Sequence, residues 1–385
     1  MLKIGIECES LEGKRFGVGQ TLIQLLEAIS KLPGIENEFR FYLYFKKEIP
    51  KDAILEDSVF VKKILKFPLL PASFNVFYHI LLPLAYWRDK LNLLFFPSYM
   101  LPAFFVGKAV VVLTNDVYYE SHFGNLPFKY RLSYRLFAWL AARRAEKIMT
   151  ISNFAKSELM KFYKIPERNI FVNPWGLHPK FKVLDKTREI LGRLAEIKKN
   201  LGVQDDFIIS IGQAFPRRHV KESMLAFEKV AGQFKNAQYI VACADKYNPP
   251  VLDNLAKEIN GRLGREVILR VNYFNDADIP LLFNSALLLA YVSTSEALGL
   301  PPVEALKCGT PSVVADNPLT REIFENSAFF VKNPDNIDEI ARKMEEGLMN
   351  KPRIIEIKES AEKVAAKFSW QSCAENLVKV FKEIA

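Results

Sequence analysis

Residues 293–311 read S-T-S-E-A-L-G-L-P-P-V-E-A-L-K-C-G-T-P, and the two glutamates in that stretch, Glu296 and Glu304, are side chains suited to gripping sugars. A carboxylate accepts hydrogen bonds from two vicinal hydroxyls at once, so two carboxylates on one turn can hold two sugar rings. Between them Gly299 leaves the backbone bare. Pro301-Pro302 mark a helix start whose unpaired N–H groups attract an anion. A ligand built as sugar, phosphate and sugar matches this arrangement. A glutamate in a helix's first turn is also stabilised by the helix dipole with no ligand present, so the residues alone leave both readings open.

The elements that must position these groups alternate along the chain. The apolar run L-L-L-A-Y-V (287–292) reads as a buried strand ending at the turn that carries Glu296. Other strands are expected in the first half near 2–7, 39–45, 92–96, 109–114, 147–151 and 170–173, with helices near 18–31, 74–88, 128–144 and 153–163. A second series begins at 207–212 and continues at 239–243, 267–271, 311–315 and 328–331. Strands alternating with amphipathic helices predict parallel sheets covered on both faces. The polar segment from Pro179 to Asp206 reads as the linker, and helices near 352–366 and 371–384 close the chain. The expectation is an α/β protein of two Rossmann-like, doubly wound domains facing across a cleft, with ligands at the carboxyl ends of the strands.

Composition fits this reading. A chain of 385 residues, half of them apolar, can fill two cores. The net charge of +9 is uneven: residues 1–180 hold 25 Lys/Arg against 16 Asp/Glu, whereas residues 181–385 hold 28 of each. The basic half is expected to face an anionic surface or a phosphate-bearing substrate, or only to keep the protein soluble. No nucleic-acid partner is expected. Met1-Leu2-Lys3 runs directly into a first strand, which predicts a cytoplasmic protein. The aromatic stretch 67–105 is interrupted by prolines, so it reads as core or as a membrane-touching surface beside K-K-I-L-K (62–66), not as a span. Cys8, Cys243, Cys308 and Cys373 lie far apart and read as small core residues. The four histidines have no metal-ligand spacing. D-A-D at 276–278 reads as helix capping, and no metal or other cofactor is expected.

E-A-L-G-L-P-P-V-E-A-L-K-C-G-T-P resembles the E-G-F-G-L-P-x-x-E-A-M-A-C-G-T-P signature of glycosyltransferase family 4, the retaining enzymes of the GT-B fold. The resemblance implies that Glu304 holds the ribose of a nucleotide-sugar and that Glu296 contacts the transferred sugar. The backbone of Ala297, Leu298, Gly299 and Leu300 would then lie near the diphosphate. Ala297 and Leu298 stand where the family has Gly-Phe. I-S-I-G-Q-A-F-P-R-R-H-V-K (209–221) is similar to the family's P-R-K-N loop, which implies that Arg217 and Arg218 stabilise the leaving diphosphate. Gln213 replaces the Arg that many relatives carry after the glycine. R-F-G-V-G-Q-T-L (15–22) resembles the family's G-I-G-R loop and places Gly17, Val18 and Gly19 at the donor. In V-V-V-L-T-N-D-V-Y-Y (110–119), Asn115 and Asp116 stand at a family H-D pair and become the acceptor-side candidates. The loops I-S-N-F-A-K-S-E-L (151–159) and V-N-P-W-G-L (172–177) also resemble family loops, with capping and turn formation by Ser152, Asn153 and Gly176 as the alternative reading.

The implied organisation is an acceptor-binding domain over 1–180, a nucleotide-sugar-binding domain over 181–369 and a C-terminal helix over 370–385 packing back on the first domain. The implied activity is retaining transfer of a hexose, mannose favoured, from GDP-mannose to a saccharide or lipid-linked saccharide in envelope polysaccharide or glycan assembly. Glu296, Arg218 and Asp116 are the catalytic candidates. A UDP-sugar donor is the runner-up. A nucleotide-sugar epimerase or hydrolase, or a non-catalytic binding protein, is the alternative class. The expected location is cytoplasmic, with peripheral attachment at the inner face of the cytoplasmic membrane left open.

Overall fold

The computed structural model describes residues 1–15, 17–66, 73–122, 127–185, 187–204, 206–234 and 236–385. Phe16 of the glycine loop, Lys186 of the expected linker and residues 67–72 of the aromatic stretch fall outside them. The chain divides into two compact units, one of residues 1–176 with 368–385 and one of residues 177–367.

The first unit is a seven-stranded parallel sheet. Its strands are β1 (Leu2–Glu7), β2 (Phe39–Phe45), β3 (Phe60–Ile64), β4 (Leu93–Phe96), β5 (Ala109–Val112), β6 (Lys147–Thr150) and β7 (Ile170–Val172), in the order β3-β2-β1-β4-β5-β6-β7. The L-L-F-F and A-V-V-V runs of β4 and β5 are buried throughout, as strands covered on both faces must be. Strand β3 is a departure from the sequence expectation. The first three residues of K-K-I-L-K end an edge strand, which the sequence expectation did not contain. Lys62 pairs with Glu56 at 2.7 Å and Lys63 with Asp89 at 2.8 Å, and charges on an edge strand block pairing with another chain.

The second unit is a six-stranded parallel sheet of β8 (Asp206–Ala214), β9 (Ala237–Asp245), β10 (Ile268–Val271), β11 (Leu288–Tyr291), β12 (Ser312–Ala315) and β13 (Phe329–Val331), in the order β10-β9-β8-β11-β12-β13. Chain order runs outward from β8 in one direction and from β11 in the other. The switch point where ligands bind in such sheets therefore lies at the carboxyl ends of β8 and β11. In the first unit the same reversal lies between β1 and β4.

The expected linker belongs to the second unit. The helix Arg188–Leu201 is capped by the Thr187 side chain and stopped by Gly202 at φ 73°. Phe181, Ile197 and Val203 enter the second core, and residues 177–180 group with this unit. The C-terminal helix Trp370–Ile384 belongs to the first unit. The loop that holds it is V-N-P-W-G: Asn173 Nδ2 donates to the Cys373 carbonyl at 3.0 Å and the Trp175 and Trp370 rings lie 5.8 Å apart. A Cβ on Gly176 would come within 2.3 Å of the Trp370 ring, which explains the glycine without a ligand. All four cysteines are free and buried. Among the described residues no helix is long and apolar enough to cross a membrane.

Candidate functional site

The site of the second unit grows from two strand ends. Strand β8 runs further than the sequence suggested, so Gln213 lies within it. Gly212 adopts φ +114°, where a side chain would be strained and its Cβ would sit 3.1 Å from Arg218 Nη1. The chain then turns through Phe215 into the short 3-10 helix Pro216–Arg218. From the end of β11, Ser293 to Glu296 lie against this turn: Thr294 N–H donates to the Arg217 carbonyl at 2.9 Å, and Arg217 Nε donates to the Ser295 carbonyl at 3.0 Å. The Arg217 guanidinium stands 4.4 Å from the Phe215 ring centre.

Glu296 and Arg218 form the centre. Arg218 Nε donates to Glu296 Oε1 at 2.6 Å and Nη2 to Oε2 at 3.1 Å, while Nη1 reaches the Gln213 carbonyl at 3.1 Å. Ser293 Oγ adds a third bond to Glu296 Oε1 at 3.0 Å. Burial alone would raise the Glu296 pKa, but the charge and hydrogen bonds of Arg218, with help from Arg217 and Ser293, hold it below the ordinary value. Glu296 is therefore an anion at neutral pH. The guanidinium also lies 5.1 Å from the Tyr291 ring centre. Such a fork can turn toward a diphosphate if the carboxylate is given sugar hydroxyls in exchange.

Beyond Glu296 the chain reaches Gly299 at φ +69°, the N-cap of the helix Leu300–Lys307, with prolines in its first turn. Leu298 is buried and lines a narrow crevice beside Glu296 with Tyr291, Gly299, Pro302 and Leu319. Glu304 sits in the second turn of this helix, not the first, so the helix dipole does little for it. Burial pushes its carboxyl up to about 7, with Lys180 lowering the value and Asp276 raising it. Asp276 and Asp278, read as capping residues, are ion-pair partners: Asp276 pairs with Lys180, and Asp278 pairs with Arg193 at 3.2 Å while making no side-chain cap bond. Sequence reasoning missed Lys180, Ser293 and Tyr291 as neighbours of the glutamates: Lys180 is distant in the chain, and Ser293 and Tyr291, though close to Glu296 in sequence, face it only through the local turn of the backbone.

The candidates of the first unit occupy its own strand ends. Gly17, Val18 and Gly19 open the helix Gly17–Ser30 after β1. A Cβ on Gly19 would lie 2.2 Å from the Ser10 carbonyl oxygen, so this glycine is needed for packing whether or not a ligand binds. Asn115 and Asp116 begin a helix, Asn115–His122, that the sequence expectation did not contain, and Asn115 is buried. Ser152 caps the helix Asn153–Tyr163 by accepting from Ala155 N–H at 3.0 Å. One residue went unremarked. Glu7, at the carboxyl end of β1, is 4% exposed, and burial pushes its carboxyl up to about 8 despite the Glu9 N–H donated at 2.7 Å. Among the described residues no group of three His, Cys, Asp or Glu side chains is placed to hold a metal.

Residues 194–365 match the family model described as Glycosyl transferases group 1. The serotype-specific mannosyltransferase WbdA of Escherichia coli is 26% identical over 245 residues, 63% of this chain and 29% of that protein. The O-antigen chain mannosyltransferase RfbU of Salmonella typhimurium is 22% identical over 209 residues, 54% of this chain and 53% of that protein. The chain thus spans under a third of the first relative and about half of the second. Among solved structures, Anabaena Alr3699/HepE in complex with UDP and glucose aligns over 100% of both chains with a TM-score of 0.73 at 17% identity. WaaG, a glycosyltransferase involved in lipopolysaccharide biosynthesis, aligns over 98% of this chain and 99% of its own with a TM-score of 0.71 at 16% identity. The chain therefore has the GT-B fold, and its residues 194–365 are similar to the group 1 glycosyl transferases.

Proposed function

We propose that the protein is a retaining hexosyltransferase that moves a sugar, mannose favoured, from a nucleotide-sugar to a saccharide or lipid-linked saccharide acceptor in envelope polysaccharide or glycan assembly. The observation that carries this reading is the Arg218–Glu296 fork at the β8/β11 switch point, beside Arg217 and the start of the helix Leu300–Lys307. In the proposed reaction the bond between the anomeric carbon and the diphosphate oxygen breaks, and the new bond to the acceptor oxygen forms on the same face. The acceptor proton goes to the departing phosphate. Arg217 and Arg218 stabilise the charge that develops there, and their guanidinium groups do so without metal. Glu296 would take hydroxyls of the transferred sugar and Glu304 those of the ribose. Asp116 and Asn115 are assigned to the acceptor side, and Gly17, Val18 and Gly19 to the diphosphate.

The relatives named mannosyltransferases support mannose, and hence GDP-mannose. The UDP bound to HepE keeps a UDP-sugar as the second reading. Calorimetric titration of the protein with GDP and UDP in chelator, followed by product analysis with the matching sugar nucleotides, tests both. Preference for GDP and formation of a mannoside are expected. Preference for UDP would replace the donor; free sugar or an epimer with no glycoside would point to a hydrolase or epimerase. Nucleotide binding without turnover on any acceptor would leave a binding protein.

A further inference from the structure

A surface helix ordinarily turns its apolar stripe inward and its polar face to water. The helix Phe128–Arg144 does otherwise. It buries Ala138, Ala141 and Ala142 and leaves Leu132, Leu136 and Trp139 exposed, the last by 52%. Their i, i+4, i+7 spacing puts them on one face. A second exposed stripe with the same spacing, Ile80, Leu84 and Trp87, lies on the neighbouring helical segments Phe77–Leu81 and Leu82–Arg88. The two helices touch through the His79 and Phe137 rings, stacked 5.1 Å apart. Arg144 then ties the end of the first helix to the loop between β4 and β5 by donating to the Ala103 and Phe105 carbonyls, both at 2.6 Å. Between those two residues Phe104 is 77% exposed.

The charge on this face has one sign. The helix Phe128–Arg144 carries Lys129, Arg131, Arg135, Arg143 and Arg144 and no acidic residue. Arg131 and Arg135 donate to the Ser121 carbonyl at 3.2 and 3.1 Å, and carbonyl partners orient a guanidinium without cancelling its charge. We infer that this face of the first unit docks on an anionic lipid bilayer, with the aromatic and aliphatic stripes at headgroup depth and the cations among the phosphates. A second copy of the chain fits less well, because a two-fold contact would press this all-basic helix against like charge. The helix packs on Asn115–His122, so a docked face would hold the acceptor-side candidates near the lipid surface. The inference deepens the reading of a lipid-linked acceptor, yet vesicle binding is measured with no transfer, so either can fail alone.

The test is flotation of the full chain with vesicles of phosphatidylcholine alone and of phosphatidylcholine mixed with phosphatidylglycerol, with tryptophan emission read in parallel. Binding to the mixed vesicles, a blue shift as Trp87 and Trp139 leave water, and loss of binding on adding salt are expected. The exposed double substitution Leu136→Glu with Trp139→Glu should weaken binding at least about tenfold, and Lys129→Glu with Arg143→Glu should weaken it similarly. Both variants should keep the wild-type melting temperature. Unchanged flotation of the variants, or equal binding to neutral vesicles, would overturn the inference. So would a wild-type dimer that the first variant converts to monomer while neither form binds vesicles.

Discussion

Glu304 offers the sharpest quantitative test, because its carboxyl sits near 7, where small pH changes alter its charge. If the ionised form accepts two ribose hydroxyls, nucleotide binding draws on the ionised fraction alone. With a pKa of about 7 that fraction is about nine tenths at pH 8 and about one tenth at pH 6. Affinity should therefore fall about tenfold between pH 8 and pH 6, a change of about 1.4 kcal/mol. Binding at pH 7 should release about half a proton, seen as a dependence of the calorimetric heat on the buffer's ionisation enthalpy. The ligand should be the intact sugar nucleotide, since a terminal phosphate monoester itself titrates near 6. Glu304→Gln should bind more weakly and show neither the pH dependence nor the proton release. A flat wild-type profile between pH 6 and 8, or the same slope in Glu304→Gln, would refute the assignment of Glu304 to the ribose.

Glu296→Ala strands the Arg218 charge in a half-buried site and should cost about 3 kcal/mol of stability in chemical unfolding, while lowering turnover by about tenfold to a hundredfold with a smaller effect on nucleotide affinity. Glu296→Gln should recover much of the stability but not the turnover. Glu7 is protonated in the folded chain below about 8 and ionised in the unfolded chain above its ordinary value. Its contribution therefore falls as pH rises from about 4.5 to about 8 and then levels off. Glu7→Gln should remove that slope and melt above wild type at pH 9, and an unchanged pH profile of melting would refute the burial argument. Gly19→Ala, whose Cβ would meet the Ser10 carbonyl, should lose about 1–3 kcal/mol. Gly17→Ala, which meets open space, should be near neutral in the same melts.

Much of this protein was legible in its sequence because the signals are local. Runs such as L-L-F-F and A-V-V-V become strands buried on both faces, and the alternation with helices leaves parallel sheets as the outcome. The Gly299-Leu300-Pro301 order likewise announces a helix start. The misread segments are those whose partners decide them. F-V-K-K-I became an edge strand by pairing with β2, with its lysines held by Glu56 and Asp89, and N-D-V-Y-Y became helix. The expected linker joined a core through Phe181 and Ile197.

The same division runs through the site. The sequence by itself determined the inventory of two glutamates, two arginines and the glycines between them, along with the two-sheet fold that holds them. Only the tertiary structure decided their electrical states. Residues 217–218 and 293–296 meet because β8 and β11 are neighbours, and that contact keeps Glu296 ionised against its burial. Glu304 is held near 7 by burial tempered by Lys180, a residue from another part of the chain. Charge state depends on solvent exclusion and on groups a few ångströms away, and neither is set by spacing along the chain.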